Sequence, residues 1–465
     1  MTAEITKFVR LTILVVLALV GSACTTTVAG TPTATGDVVA PGDSGESTGV
    51  DPSFVRNTDS GEIDRLAATV VTDVQTYWRE TFPDLFGQQW RDISGGFYSV
   101  DSGSATAPAP PCASRASDVE GNAFYCPTAD VIAWDRTALL PVLKERFGEA
   151  AVMLVLAHEM GHAVQRRAGV AVTQSGSTSD LYPTIAIEAM ADCYAGAFVH
   201  WVLDGKAEHL RVDRADLDPS LQALVSFRDP IGTSASDQGA HGDAFDRVSA
   251  FQDGFEQGPQ LCARMTAQNR DFTLRGFANA KDLERGGNLA FTDMITSISP
   301  DLNTFFSGVV ERSGGQWREP RVAAEDGEPR CATGDQGPAT FCEDRIGYSE
   351  AGALADLHGE IGDYATGTLL ASRYALAALA ALGKPVRGPD TQRGVVCLAG
   401  AYTGLLISRQ ENFTLSPGDL DEAMQVLLRF DFAARDAAGA AIPSGYDRVS
   451  AFRAGTLKGT KACGL

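Results

Sequence analysis

Two histidines four residues apart, with a glutamate directly after the first, are the side chains in this sequence best suited to chemistry. They stand in HEMGH, residues 158–162. On a helix, positions i and i+4 share a face, so the imidazoles of His158 and His162 can reach one Zn2+ ion. Glu159, about a quarter-turn round, can address a water beside the ion instead of the ion itself. A hydrolytic zinc site also needs a third protein ligand and an open fourth position. Glu188 is the candidate ligand. Asp192, four residues on and on the same face, is the candidate acceptor for the N–H of a ligating imidazole, with His158 the one expected. Both carboxylates fall in AIEAMADCYAGAFVHW (186–201), a segment otherwise so apolar that a buried carboxylate needs a cation or an N–H beside it. The competing readings are two satisfied core histidines and two carboxylates on a solvated helix face.

The elements that must position these groups are legible nearby. Residues 149–167 are apolar almost all round and lie between Gly148 and Gly169, the profile of a buried helix with a glycine stop. Residues 186–201 form a second apolar helix. An edge strand is expected near Ala123 to Trp134, along which an extended substrate could lie by strand addition.

The chain also repeats itself in order. GQQWRD (87–92) matches GGQWRE (314–319), DCYAGA (192–197) matches VCLAGA (396–401), and ADLDPSLQALVSF (215–227) matches GDLDEAMQVLLRF (418–430). AFDRVSAF (244–251) then recurs as GYDRVSAF (445–452), each followed by a Cys. An ordered series with a smoothly drifting offset implies one duplication and two lobes, 56–284 and 285–465. Of nine Cys, eight lie in the lobes, four in each. Equivalent pairing in both lobes favours Cys112–Cys126, Cys193–Cys262, Cys331–Cys342 and Cys397–Cys463; buried free thiols are the alternative. No CxxC occurs, so a structural zinc knuckle is a poor reading.

HEMGHAVQ (158–165), EAMADCYAG (188–196) and HGDAFDRVSAFQDGFEQG (241–258), with YCPTADVIAWD (125–135) before them, resemble the bacterial neutral zinc metallopeptidase family. The likeness spans roughly residues 65–265. It implies a zincin-like, helix-rich α+β fold, one zinc ion held by His158, His162 and Glu188, and Glu159 as general base. Met190 departs from the family's Gln at that place.

The second lobe serves as an internal control. Aligning GEAAVMLVLAHEMGHA with GDYATGTLLASRYALA puts Ser372, Arg373 and Leu376 where His158, Glu159 and His162 stand, while Gln392 and Val396 replace Glu188 and Asp192. The later lobe is therefore read as a pseudo-catalytic copy of similar fold. His241 becomes Ile442 and changes with the chemical set, which makes it the candidate catalytic donor for a developing oxyanion. A loop histidine without a task is the alternative, and Tyr194 a weaker donor. Asp246 and Arg247 persist as Asp447 and Arg448 and are expected to pair with each other. His200 is expected to face solvent.

The balance of 38 basic against 59 acidic residues, a net charge of −21, opposes nucleic-acid binding through a basic face. Lys7 and Arg10, the apolar run Leu11 to Val20 and the small residues 21–23 read as a signal peptide, 1–23. Cys24 resembles the acylated Cys of a bacterial lipoprotein, although Gly21 stands where Leu is usual. Residues 24–55, rich in Thr, Gly and Pro, read as a tether. The expectation is an exported, zinc-dependent peptidase on the outer face of the cell membrane, held there by a lipid anchor only, or secreted if Cys24 is not acylated. Its partner would be a peptide or protein substrate in the cell envelope. The alternative is an envelope scaffold with a vestigial or structural zinc site.

Overall fold

The computed structural model describes residues 47–170, 180–237 and 240–465. The expected signal segment, Cys24 and most of the tether lie outside the described residues. Folded chain begins before residue 56: the Thr48 N–H donates to the His209 carbonyl, the Val50 N–H to Thr69 Oγ1, and Val55 is buried. The tether boundary therefore moves earlier than the composition suggested, because backbone hydrogen bonds and the buried Pro52 and Val55 dock these residues.

The protein is helix-rich α+β. In the first lobe α1 (Glu62–Phe86) precedes a small sheet of β1 (Gly96–Val100), β2 (Ala123–Cys126) and β3 (Val131–Asp135). Then come α2 (Leu139–Phe147), α3 (Glu149–Arg167), α4 (Thr184–Leu203), α5 (Leu217–Ser226), α6 (Ala244–Gln257), α7 (Pro259–Cys262) and α8 (Ala280–Glu284). The second lobe opens with α9 (Phe291–Arg312), then β4 (Arg321–Glu325), β5 (Ala339–Cys342) and β6 (Arg345–Ser349). It closes with α10 (Ala353–Glu360), α11 (Asp363–Ala381), α12 (Pro389–Ile407), α13 (Asp419–Arg429) and α14 (Gly445–Lys458).

Both sheets have the same topology. β3 lies centrally, parallel to β1 and antiparallel to β2, and β6 is likewise parallel to β4 and antiparallel to β5. The expected edge strand is thus β2 alone; Val131–Trp134 belongs to the central strand, because β1 pairs along its other side. Asp135, buried at the end of β3, accepts the backbone N–H groups of Gly121 and Thr137 at 2.8 Å and fixes the loop leading into β2.

α3 runs from Gly148 with Glu149 in its first turn and Arg166 and Arg167 in its last, charges that complement the helix dipole. α4 carries buried residues on every face. Two close approaches set its position. A Cβ on Gly161 of α3 would lie 3.0 Å from Ala191 Cα, and a Cβ on Gly196 would lie 2.0 Å from the Phe251 carbonyl oxygen of α6. Only hydrogen fits at Gly196, and a Cβ at Gly161 would crowd Ala191, so glycine lets α4 wedge between α3 and α6. Gly400 of α12 meets the Phe452 carbonyl in the same way. Disulfides join Cys112 to Cys126, Cys193 to Cys262, Cys331 to Cys342 and Cys397 to Cys463.

The lobes share one apolar core and exchange helix caps. Asp218 of the first lobe accepts the N–H groups of Gly445 and Tyr446 at the start of α14; Asp421 of the second accepts that of Ala244 at the start of α6, at 2.7 Å. Among the described residues no helix is long and apolar enough to cross a membrane.

Candidate metal centre

His158 and His162 project from α3 toward Glu188 of α4, and the ligand atoms of the three lie within 4.8 Å of one another. Glu188 Oε2 is 3.1 Å from His158 Nε2 and 3.6 Å from His162 Nε2. The outer nitrogen of each ring is also held. His158 Nδ1 lies 2.7 Å from Asp192 Oδ1, and Asp192 in turn accepts Arg247 Nε and Nη2, each at 2.9 Å. His162 Nδ1 lies 3.0 Å from Gln165 Oε1, whose amide is oriented by donation from Nε2 to the Ile187 carbonyl at 2.6 Å.

These outer contacts decide what the inner atoms are. Burial opposes the Asp192 carboxylate, yet Arg247 and His158 hold its pKa below the usual value, so it is an anion that accepts the Nδ1–H of His158. Gln165 Oε1 can only accept, so His162 also carries its proton on Nδ1. Both Nε2 lone pairs then face the same carboxylate oxygen. Three electron-rich atoms cannot sit so close without a cation among them, either a proton or a metal ion. Burial works against a proton on His158, but Asp192, Glu188 and Glu159 together push its pKa up to about 10. Proton and metal therefore compete for this place. Two imidazoles and a carboxylate suit zinc, and the residues present fit it.

Glu159 stands apart from the three. Its Oε2 accepts the Tyr125 N–H of β2 at 2.8 Å. Burial, helped by Glu188, keeps its pKa above the ordinary glutamate value despite the two imidazoles and that N–H. A cleft of about 780 Å³ opens over His158, Glu159, His162 and Glu188, with Phe124 and Tyr125 of β2 on its wall. His241 and Arg247 line it as well. His241 is half-exposed; Asp229 accepts its backbone N–H at 2.7 Å and lies 3.3 Å from its Nδ1.

Several expectations need correction. Asp246 and Arg247 do not pair: Asp246 accepts from Thr273 and Leu274, while Arg247 turns to Asp192 and the Phe227 carbonyl. Arg448, its counterpart, spends its donors on the carbonyls of Leu427, Leu428, Ile442 and Pro443. The difference follows from Val396 replacing Asp192, which leaves no carboxylate to meet. Tyr194 is buried against Trp78 and is absent from the cleft lining. His200 is only half-exposed, its Nδ1 meeting the Phe255 carbonyl.

Gln165 and Asp229 escaped the sequence reading. Gln165 was within reach, since it follows His162 by three and shares its helix face. Asp229 sits in a loop twelve residues before His241 and carries no local signal. In the second lobe Arg373 occupies the place aligned with Glu159, buried and donating to Asp335 Oδ2 at 3.2 Å and to the Arg435 carbonyl at 2.8 Å.

This geometry is accompanied by sequence kinship. Residues 4–264 match the family described as "Putative neutral zinc metallopeptidase", and the chain belongs to that family. Uncharacterized protein Rv2575 of Mycobacterium tuberculosis is 29% identical over 221 residues, 44% of this chain and 70% of that protein. Uncharacterized protein Mb2605 of Mycobacterium bovis matches to the same extent. Uncharacterized protein YpfJ of Escherichia coli is 28% identical over 155 residues, 30% of this chain and 52% of its own length. No solved structure matches.

Proposed function

We propose that this chain hydrolyses peptide bonds in the cell envelope as a zinc peptidase, with Glu159 as general base. The observation that carries the reading is the meeting of His158 Nε2 and His162 Nε2 with Glu188 Oε2 beneath a cleft that also holds Glu159. His158, His162 and Glu188 would hold the ion. When bound, zinc supplies Lewis-acid chemistry, making water nucleophilic near neutral pH and polarising a carbonyl.

The chain's own residues do the rest. Asp192 and Gln165 fix the ring tautomers. Glu159, tied through Oε2 to Tyr125, keeps Oε1 to take a proton from water and return it to the leaving amine. Along β2 the backbone groups of alternate residues face away from β3, and Tyr125 is one of these, since its N–H reaches Glu159. An extended peptide can pair with the carbonyls of Ala123 and Tyr125 on that free edge. His241, oriented by Asp229, donates to the developing oxyanion.

We infer an export signal in residues 1–23 and a lipid on Cys24, or secretion of the cleaved chain. We also infer that residues 285–465 are a duplicate of the first lobe that kept its scaffold and lost its chemistry. The shared sheet topology, the paired disulfides and the reciprocal caps by Asp218 and Asp421 support that origin.

The test measures zinc content and cleavage of a mixed peptide library with the mature chain. Glu159→Gln should keep its zinc and lose about 10²–10⁴-fold in rate. Undiminished cleavage by that variant removes the mechanism, and bound zinc with no cleavage of any peptide by the native chain favours a scaffold. Detergent-phase partitioning that is lost in Cys24→Ala checks the anchor.

A further inference from the structure

The second lobe gathers its own buried acids, in a place unrelated to the zinc triad. Asp363 begins α11, while Asp419 and Glu422 lie in the first turn of α13. They are 3%, 3% and 4% exposed, and an oxygen from each lies within 4.8 Å of the others. A backbone N–H anchors each carboxylate: Leu289 to Asp363 Oδ2 at 2.6 Å, Ser416 to Asp419 Oδ2 at 2.8 Å, and Tyr364 to Glu422 Oε2 at 2.7 Å. Those bonds leave Asp363 Oδ1 and Asp419 Oδ1 buried with no hydrogen-bond partner.

No basic side chain among the described residues forms an ion pair with any of the three. Arg285, whose field reaches Asp363, is paired with Asp282 at 2.8 Å. Two helix N-termini offset only part of the cost of burying three carboxylates. The backbone nevertheless makes room for them: Gly362, at φ +139°, is where a Cβ would collide with the Glu422 carboxyl group, 2.0 Å away. The first lobe lacks the arrangement, since Pro219 aligns with Glu422 and Glu149, aligned with Asp363, pairs with Lys144 at 3.2 Å.

We propose that Asp363, Asp419 and Glu422 bind a Ca2+ ion that ties the connection between the lobes to the N-termini of α11 and α13. An all-carboxylate donor set with no nitrogen or sulfur selects a hard cation. Asp363 and Asp419, but not Glu422, also line a cavity of about 640 Å³; Arg285 and Arg409 on its wall are paired with Asp282 and Asp301, and the space has room for the waters that complete six to eight oxygen ligands. The anchoring N–H groups of Leu289 and Ser416 belong to the segments that the ion would hold. Its role is structural, and it does not depend on the peptidase reading.

The test titrates Ca2+ and Mg2+ into the full mature chain after dialysis against chelator and restoration of zinc, and follows heat and melting temperature. Expected is one Ca2+ per chain with a Kd of roughly 10⁻⁶–10⁻³ M, binding of Mg2+ at least about tenfold weaker, and a melting temperature that rises with Ca2+. Asp419→Asn and Glu422→Gln should each weaken Ca2+ at least about tenfold, whereas Glu188→Gln in the zinc triad should leave it unchanged. Absence of Ca2+ binding by the native chain overturns the proposal whether or not the variants fold. So does Mg2+ binding as tightly as Ca2+. Native-like Ca2+ binding by Asp419→Asn, or higher melting of the variants with and without Ca2+, also overturns it and means that the carboxyl groups share protons instead.

Discussion

Asp192→Asn probes the coupling of zinc affinity to a charge that touches no metal. Asp192 accepts three charge-assisted hydrogen bonds, from His158 Nδ1 at 2.7 Å and from Arg247 Nε and Nη2 at 2.9 Å. Two of them share Oδ1, so an asparagine carbonyl in that place retains both, while its NH2 group turns a donor toward the Arg247 Nε donor. Losing that one bond costs about 1.5–3 kcal/mol, and leaving the buried Arg247 without its counter-charge brings the total toward the roughly 3–5 kcal/mol of a broken buried ion pair. The imidazole also loses the anion that raises its basicity, so zinc affinity should fall about 10–100-fold. Denaturant unfolding and chelator competition for zinc read the two effects separately. Arg247→Met supplies the control: it should destabilise the fold while leaving the Asp192–His158 contact, and so cost less zinc affinity than Asp192→Asn. Unchanged zinc affinity in Asp192→Asn, with the stability loss present, would refute the proposed support of His158 and reduce Asp192 to a partner for Arg247.

Gly161→Val places branched carbon where a Cβ would already stand 3.0 Å from Ala191 Cα, so α3 and α4 must separate. A stability loss of about 1–3 kcal/mol with loss of zinc is expected, measured by melting and metal analysis. His241 has its pKa raised by Asp229, against the opposing effect of burial. Its stabilising contribution is complete below the unfolded value of about 6.5 and lost as pH rises through the folded value. If the imidazolium is the oxyanion donor, kcat falls through the same window, and Asp229→Asn should move that alkaline limb to lower pH; an unmoved limb excludes the role. Cys193→Ala with Cys262→Ala opens the loop, with a sequence separation of 69, that ties α4 to α7. A cost of about 4 kcal/mol in unfolding free energy is expected.

Much of the site could be read before any coordinates. The i, i+4 spacing of His158 and His162 compels a shared face once the segment is helical, and the apolar run between Gly148 and Gly169 makes it helical. Glu188 and Asp192 were conspicuous as carboxylates in apolar surroundings. The comparison of the two repeats proposed which residues are chemical and which are scaffold, and it misjudged Arg247. Repetition of Arg247 as Arg448 shows that a guanidinium is wanted at that place, not which oxygen it meets, and Val396 in place of Asp192 changes the partner. Tyr194 failed as a donor for a related reason: helical spacing says which face a residue occupies, not whether that face opens on a cleft or on Trp78.

Residue types and local periodicity pointed to the candidate donor atoms, their helix faces and the apolar segments that carry them, because those properties depend on neighbours a few positions away. Tertiary packing decided the rest. Contact between Gly161 and Ala191 brings Glu188 within reach of both rings, the Gln165 amide and the Arg247-bound Asp192 choose the tautomers, and β2 hands its Tyr125 N–H to Glu159. Each of these joins positions remote in the chain or an orientation set by a third group. No window of sequence contains such information, since it arises only when the helices cross.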